Sequence, residues 1–177
     1  MADNMMTGII GAMEVEVESI ASNMQNVEHK VVSGIPFSKG TLSGRPVVIA
    51  RCGIGKVNAA VCAQIMLSVF GVSEIINTGV AGAVAKGVKQ NDIVIAERFV
   101  QHDVDTSPIG DPVGFVSTIN RIYFETDGSV TSRIKAAIGN KARIHLGTVA
   151  TGDQFIAGKK TGKKIHERFN ALACDME

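Results

Sequence analysis

Apolar residues recur along this chain in two rhythms. Short runs, several of them apolar on both faces, fall at Gly8–Met13, Val47–Ala50, Glu74–Asn77, Asp92–Ala96, Ile144–Ala150 and Leu172–Met176. Runs of this kind predict strands of a sheet covered by helices on both sides. Between them, apolar positions return at helical spacing: Val17, Ile20, Ala21 and Met24; Val57, Ala60, Val61, with Gln64, and Ile65; Val130, Ile134, Ala137 and Ile138. The alternation of the two rhythms predicts an α/β fold. The third helix is expected to start at Ser129 and to stop at Gly139, where left-handed geometry suits glycine. Between Glu28 and Gly44, the turn residues of Ser33-Gly34-Ile35-Pro36 and Leu42-Ser43-Gly44-Arg45-Pro46 predict strands joined tightly. Residues 103–128 concentrate Asp, Pro, Gly, Ser and Thr around Asp105–Gly114 and read as one long loop, a feature that in compact domains is usually functional or disordered. There is no internal repeat and no low-complexity tract.

Composition narrows the picture. A length of 177 residues predicts one domain, spanning 1–177. With 45% hydrophobic residues, 20% charged residues and a formal net charge of +1, nothing points to nucleic acid or to a membrane surface. Partners should be small molecules or further copies of the chain. No signal-peptide pattern stands near the N-terminus, and no apolar run approaches the roughly 20 residues that span a bilayer, so a cytoplasmic location is expected. Cys52, Cys62 and Cys174 are odd in number and widely spaced, which predicts reduced core thiols. The four histidines, His29, His102, His145 and His166, have no ligand spacing, so no metal is expected.

Candidate chemistry begins just past the first predicted strand, where Glu14, Glu16 and Glu18 form a comb with no basic residue nearer in sequence than His29 or Lys30. Ligand sites of α/β proteins lie outside the carboxyl ends of strands. A helix N-terminus also welcomes acids, at about 0.3–1 kcal/mol each, so a solvated helix face fits Glu14 and Glu18. A carboxylate among apolar neighbours such as Met13, Val15 and Val17 can have its pKa raised by desolvation, which suits a water-activating base. Gly53-Ile54-Gly55-Lys56 and Thr78-Gly79-Val80-Ala81-Gly82 read as Gly-rich strand-to-helix turns, a common feature able to cradle phosphate. Taken alone, Phe155 reads as core.

Five segments, Gly8–Glu16, Ala50–Ala60, Ile75–Ala83, Thr151–Ile156 and Asp175-Met176-Glu177, resemble in order and spacing the signature segments of the 5′-methylthioadenosine/S-adenosylhomocysteine nucleosidases, within the nucleoside phosphorylase superfamily. The resemblance runs from about Gly8 to the last residue. It implies a single-domain nucleoside phosphorylase-like α/β fold, with a central mixed sheet flanked by helices. It also implies hydrolysis of the N-glycosidic bond of 5′-methylthioadenosine and S-adenosylhomocysteine, with release of adenine and without cofactor or metal. By the spacing Gly-Ala-Met-Glu-x-Glu, Glu16 takes the role of the catalytic base. Met176 and Glu177 take the ribose, and Phe155 and Ile156 the adenine, while Met13, Ile54, Val80, Ala81, Gly82 and Asp175 join the substrate-binding set. Family members pair as homodimers, the long loop reaching the neighbouring site; Val57, Ala60, Val61, Ile65 and the Asp103–Gly114 loop are the expected contact surface.

The chain departs from the family pattern in two places. Val80 stands where serine is frequent, and the family continues past Glu177 through a last strand, with the aspartate that protonates adenine, and a C-terminal helix. The fold is therefore expected to lack those elements and the activity to be impaired. Asp153 precedes the adenine segment and Asp175 alternates away from Glu177, so neither replaces that aspartate. Two other readings stay open on these residues: a phosphorolytic enzyme of the same fold, disfavoured by the acids Glu14 and Glu16, and a non-catalytic nucleoside-binding fragment.

Overall fold

The computed structural model describes residues 5–177. Among these the elements run β1 (Thr7–Gly11), α1 (Glu14–Ala21), β2 (Gln25–Val32), β3 (Ile35–Leu42), β4 (Arg45–Arg51), α2 (Lys56–Phe70), β5 (Glu74–Asn77), β6 (Gly82–Ala83), β7 (Ile93–Gln101), β8 (Tyr123–Glu125), α3 (Gly128–Ile138), β9 (Ile144–Thr151), α4 (Lys159–Phe169) and β10 (Ala171–Asp175). Where one central sheet was expected, the strands divide into two mixed five-stranded sheets, ordered β2-β3-β4-β1-β5 and β6-β10-β9-β7-β8. They belong to two compact units: the first runs to Val80 and includes Glu177, the second is Ala81–Met176. No helix among the described residues is long and apolar enough to cross a membrane.

In the first unit β1 lies parallel to both β4 and β5, while β2, β3 and β4 form an antiparallel meander. Ser33-Gly34 and Ser43-Gly44 make its turns, all four residues at positive φ, as two-residue hairpin loops require. The strands that were expected to be apolar on both faces have each face covered. Ile10, Val48 and Ala50 pack with Cys62, Ile65 and Met66 of α2. Their neighbours Ile9, Val47 and Ile49 pack with Val17 of α1 and with Met24, which lies beyond that helix rather than inside it. Met13 is likewise outside β1, as the residue capping α1.

In the second unit β7, β9 and β10 are parallel, with β8 and β6 antiparallel at the edges. The buried cluster joins Val100, Ala150, Ala171 and Cys174 to Ile165 and Phe169 of α4. That helix escapes the apolar rhythm because Lys159–Phe169 offers only Ile165 and Phe169 as large apolar groups, one turn apart; Gly162 completes its buried side. Helix α3 ends at Gly139, at positive φ as expected, but starts one step earlier than the sequence implies. Asp127 caps it, accepting the Ser129 N–H at 2.8 Å and the Val130 N–H at 3.4 Å, and Ser129 is a recipient of the cap rather than its source.

Three further expectations are corrected. The stretch 103–128 includes short 3-10 turns at Ser107–Ile109 and Ser117–Ile119 and the strand β8, because Tyr123–Glu125 finds a partner in β7. Thr78–Gly82 leads from β5 into the short strand β6, with no helix after it. Ile65 turns inward and is buried, whereas Val57, Ala60 and Val61 of α2 are exposed.

Candidate active site

The chain leaves β1 at Gly11 and enters α1 through Met13, whose backbone is extended. Glu16 is the third helical residue, and its side chain folds back over the helix start: Oε2 accepts the Met13 N–H at 2.9 Å, the reach-back half of a capping box. Oε1 accepts the Val80 N–H at 3.0 Å, from the segment after β5. Such bonds to an ionised acceptor are about twice as strong as neutral ones. Gly79 makes the approach possible, since a Cβ there would lie 2.7 Å from Glu16 Oε1. Each oxygen keeps a second lone-pair site after these bonds, open to a water or a hydroxyl.

The apolar walls expected around Glu16 are only partly present. Val17 is buried, but Val15 is 73% exposed, so hydrogen bonding rather than apolar enclosure holds the carboxylate. The other teeth of the comb diverge from it. Glu18 is exposed, and Glu14 pairs with Arg51 at 3.3 Å across the ends of β1 and β4. The comb therefore has a basic partner that sequence distance hides; the parallel register setting Gly11 beside Arg51 is what brings it near. Both groups of this pair are largely exposed, and it adds about 1 kcal/mol at most.

Glu177 belongs to the same unit, and its Oε1 accepts the Gly55 N–H at 3.4 Å, at the long end of the range. Gly53 and Gly55, both at positive φ, form the strand-to-helix turn expected there. Cys52 lies between the two carboxylates in its electrostatics: burial first, then the Glu177 charge and more weakly Glu16, push its thiol up to about 11. The thiol thus stays protonated near neutrality while the strand ends carry negative charge. A cavity of about 520 Å³ opens beside them, lined by Ala12, Met13, Glu14, Gly34, Ile35, Pro36 and the Arg51–Ile54 segment.

Of the residues expected at the site, the first unit therefore holds Met13, Glu16, Ile54, Val80 and Glu177, and the second Ala81, Gly82, Phe155, Ile156, Asp175 and Met176. Phe155 is 85% exposed on the segment between β9 and α4, which removes the core reading of its ring. Ile156 packs beside Gly162 and the cluster under α4. Asp175 ends β10 opposite Thr151, and Gly82 of β6 pairs with Cys174. All three cysteines are free and buried; burial, with Asp175 and Asp103 behind it, lifts the Cys174 thiol to about 12, and burial with Cys52 behind it lifts Cys62 to about 12. Among the described residues no group of three or more His, Cys, Asp or Glu side chains is placed to hold a metal ion.

Comparison with known proteins places this geometry. The family model of the phosphorylase superfamily matches residues 7–177. The chain is 36% identical over 176 residues to the 5′-methylthioadenosine/S-adenosylhomocysteine nucleosidase of Shewanella denitrificans, covering 98% of itself and 76% of that protein. It is also 36% identical over 173 residues to the aminodeoxyfutalosine nucleosidase of Helicobacter pylori, covering 96% of itself and 74% of that protein. Among solved structures, the S. pneumoniae nucleosidase with a transition-state inhibitor superposes at a TM-score of 0.91, with 37% identity over 98% of this chain and 76% of that one. A mutant of the Helicobacter pylori enzyme with 5′-methylthioadenosine in its active site superposes at 0.93, with 33% identity, covering all of this chain and 76% of that one.

Proposed function

The chain belongs to the phosphorylase superfamily and, within it, to the 5′-methylthioadenosine/S-adenosylhomocysteine nucleosidases, and we propose that it hydrolyses the N-glycosidic bond of these two nucleosides, releasing adenine. The observation that carries the reading is the Glu16 carboxylate, fixed by the N–H groups of Met13 and Val80 at the strand ends. Positioned there, Glu16 takes a proton from water as the oxygen adds to the sugar's anomeric carbon, while the electron pair of the broken C–N bond leaves with adenine, which gains its proton from solvent. A positioned general base of this kind contributes about 10²–10⁴-fold. Negative charge from Glu16 and Glu177 also favours the cationic character that the sugar gains as the bond to adenine breaks.

In this reading Glu177 accepts the ribose hydroxyls and Met176 packs on the sugar. Phe155 stacks on adenine while the Ile156 backbone meets its edge, and Met13, Ile54, Val80, Ala81, Gly82 and Asp175 complete the contacts. The reading takes residues 1–177 as one domain of a cytoplasmic enzyme and pairs it with a second copy through the exposed face of α2, at Val57, Ala60 and Val61. Sedimentation at micromolar concentration should give the mass of a dimer.

The same charges that favour water disfavour phosphate. An anionic nucleophile would meet Glu16 and Glu177, and the Arg51 guanidinium nearby is already engaged by Glu14. Adenine release from 5′-methylthioadenosine should therefore be independent of phosphate, and a rate proportional to phosphate with a sugar phosphate as product would replace hydrolysis by phosphorolysis. Running aminodeoxyfutalosine alongside decides which 5′ substituent is preferred, since a relative with that activity matches at the same identity.

A further inference from the structure

Phe155 is 85% exposed, and Asp153 and Gln154 before it are exposed too, so packing of these side chains does not fix where the ring points. The bonds that shape the segment from within are short-range: Gln154 N–H to the Gly152 carbonyl at 2.7 Å and Ala157 N–H to the Phe155 carbonyl at 3.2 Å. Attachments at both ends tie it to the body of the second unit. Downstream, Ile156 packs against the buried cluster under α4. Upstream, the tie is the end of β7. The His102 N–H donates to the Thr151 carbonyl at 2.9 Å, and the Asp103 Oδ2 accepts the Asp153 N–H at 2.8 Å. Gly152 between them leaves no room: a Cβ there would lie 2.5 Å from His102 Nε2 and 2.9 Å from Asp103 Cγ. A charge-assisted bond to a backbone N–H, with a glycine wedged under a ring, orients a turn more firmly than either alone.

We propose that Asp103, seated by His102 against Gly152, is a positioning residue: it pins the Gly152-Asp153-Gln154 turn so that the Phe155 ring and the Ile156 backbone are presented to adenine before it binds. This rests on Phe155 and Ile156 being the adenine contacts, and it adds to that reading the element that holds them. Pre-ordering an exposed aromatic removes an entropy loss that would otherwise be taken from affinity.

The chain contains no tryptophan, so Phe155→Trp installs a single fluorescent reporter at the platform. In that background adenine should quench the emission as it stacks. Asp103→Ala should lower the anisotropy of the free protein and weaken adenine about tenfold, with the melting temperature unchanged. Asp103→Asn should restore both properties, because its side-chain oxygen still accepts the Asp153 N–H. Gly152→Ala should likewise lower the anisotropy and weaken adenine, by wedging the turn away from His102. Unchanged anisotropy and affinity in Asp103→Ala would overturn the proposal, as would losses that track a lowered melting temperature and are not rescued by asparagine. If Phe155→Ala binds adenine as tightly as the unaltered protein, the platform assignment itself falls, and the pinning of the turn loses its purpose with it.

Discussion

Alternate residues of β1 and β4 feed two different cores, one under α1 and one under α2, so the first sheet is gripped from both faces. In the second unit the buried cluster gathers under α4, and α3 buries none of its residues. The strand ends differ in the same sense. The first sheet presents a carboxylate held by two backbone N–H groups, whereas the second presents an aromatic ring on an exposed turn. A general base works only at a fixed distance from its proton, and the residue proposed for that role, Glu16, stands on the firmer sheet. The proposed stacking residue, Phe155, stands on the unit with less helical cover, where a local tie to the end of β7 holds its turn.

The largest test of this contrast is within the second unit. Phe169 of α4 is buried and Ile134 of α3 is not, so Phe169→Ala should lower stability by about 3–5 kcal/mol and Ile134→Ala by about 1 kcal/mol or less, read from urea unfolding midpoints. Equal losses would mean that α3 anchors the sheet as strongly as α4.

Glu16→Gln comes next. Adenine release should fall by about 100-fold, equivalent to about 2.7 kcal/mol of transition-state stabilisation, while nucleoside affinity changes little. Glutamine has a second consequence here: one of the two N–H groups now bonded to carboxylate oxygens would face its amide NH₂, so part of the anchoring is lost as well. Glu14→Gln should change the rate far less, since Glu14 points to Arg51. Equal effects at both positions would show that the local field of the acids, rather than the anchored base, carries catalysis.

How far the sequence reveals this molecule follows from the range of the forces involved. Expected strands reappear within a few residues, Glu74–Asn77 without any shift, because apolar rhythm is local; so do the Ser-Gly hairpin turns. What depends on distant pairing stayed hidden. The division of the strands into two sheets is set by register between segments far apart in sequence, and so is the Arg51 partner of Glu14. Helix α4 was hidden for the opposite reason: its lysine-rich sequence looks solvated, yet Ile165 and Phe169 need only the small Gly162 beside them to bury one narrow stripe. That Glu16 stands just past β1 was legible from the sequence, but its two N–H donors and the glycine that admits it were not.

That glycine gives a third, smaller effect. Gly79 does not have the positive φ that excludes side chains, so alanine fits its backbone; the three atoms nearest the added methyl all belong to the Glu16 carboxylate, with Oε1 at 2.7 Å. Gly79→Ala should displace Glu16 and lower adenine release by roughly tenfold, the order expected when a catalytic group is shifted short of removal. Folding should persist. Gly128→Ala, where no atom lies within 4 Å of the added methyl, should leave the rate unchanged. A Gly79→Ala enzyme of normal rate would show that the Val80 N–H bond is dispensable for placing the base.

The smallest effect separates the weakly seated α3 from the rest by its pH dependence. Asp127 is held below the usual carboxylate range, first by the Ser129 hydroxyl, then by the Ser129 and Val130 N–H groups at the helix start. A depressed folded-state pKa contributes stability that is present above the unfolded value of about 3.9 and lost as pH falls through the folded one. Asparagine caps a helix about as well but does not titrate. Asp127→Asn should therefore approach the unaltered protein as pH falls through the folded-state pKa of Asp127 and fall slightly behind it at neutral pH, where only the ionised aspartate gains from its charge-assisted bonds. Asp127→Ala should be the less stable of the two variants at every pH. Unfolding midpoints for the three proteins between about pH 3 and 7 measure this directly, and a constant gap between the unaltered protein and the Asp127→Asn variant across that range would mean that the cap acts through geometry alone.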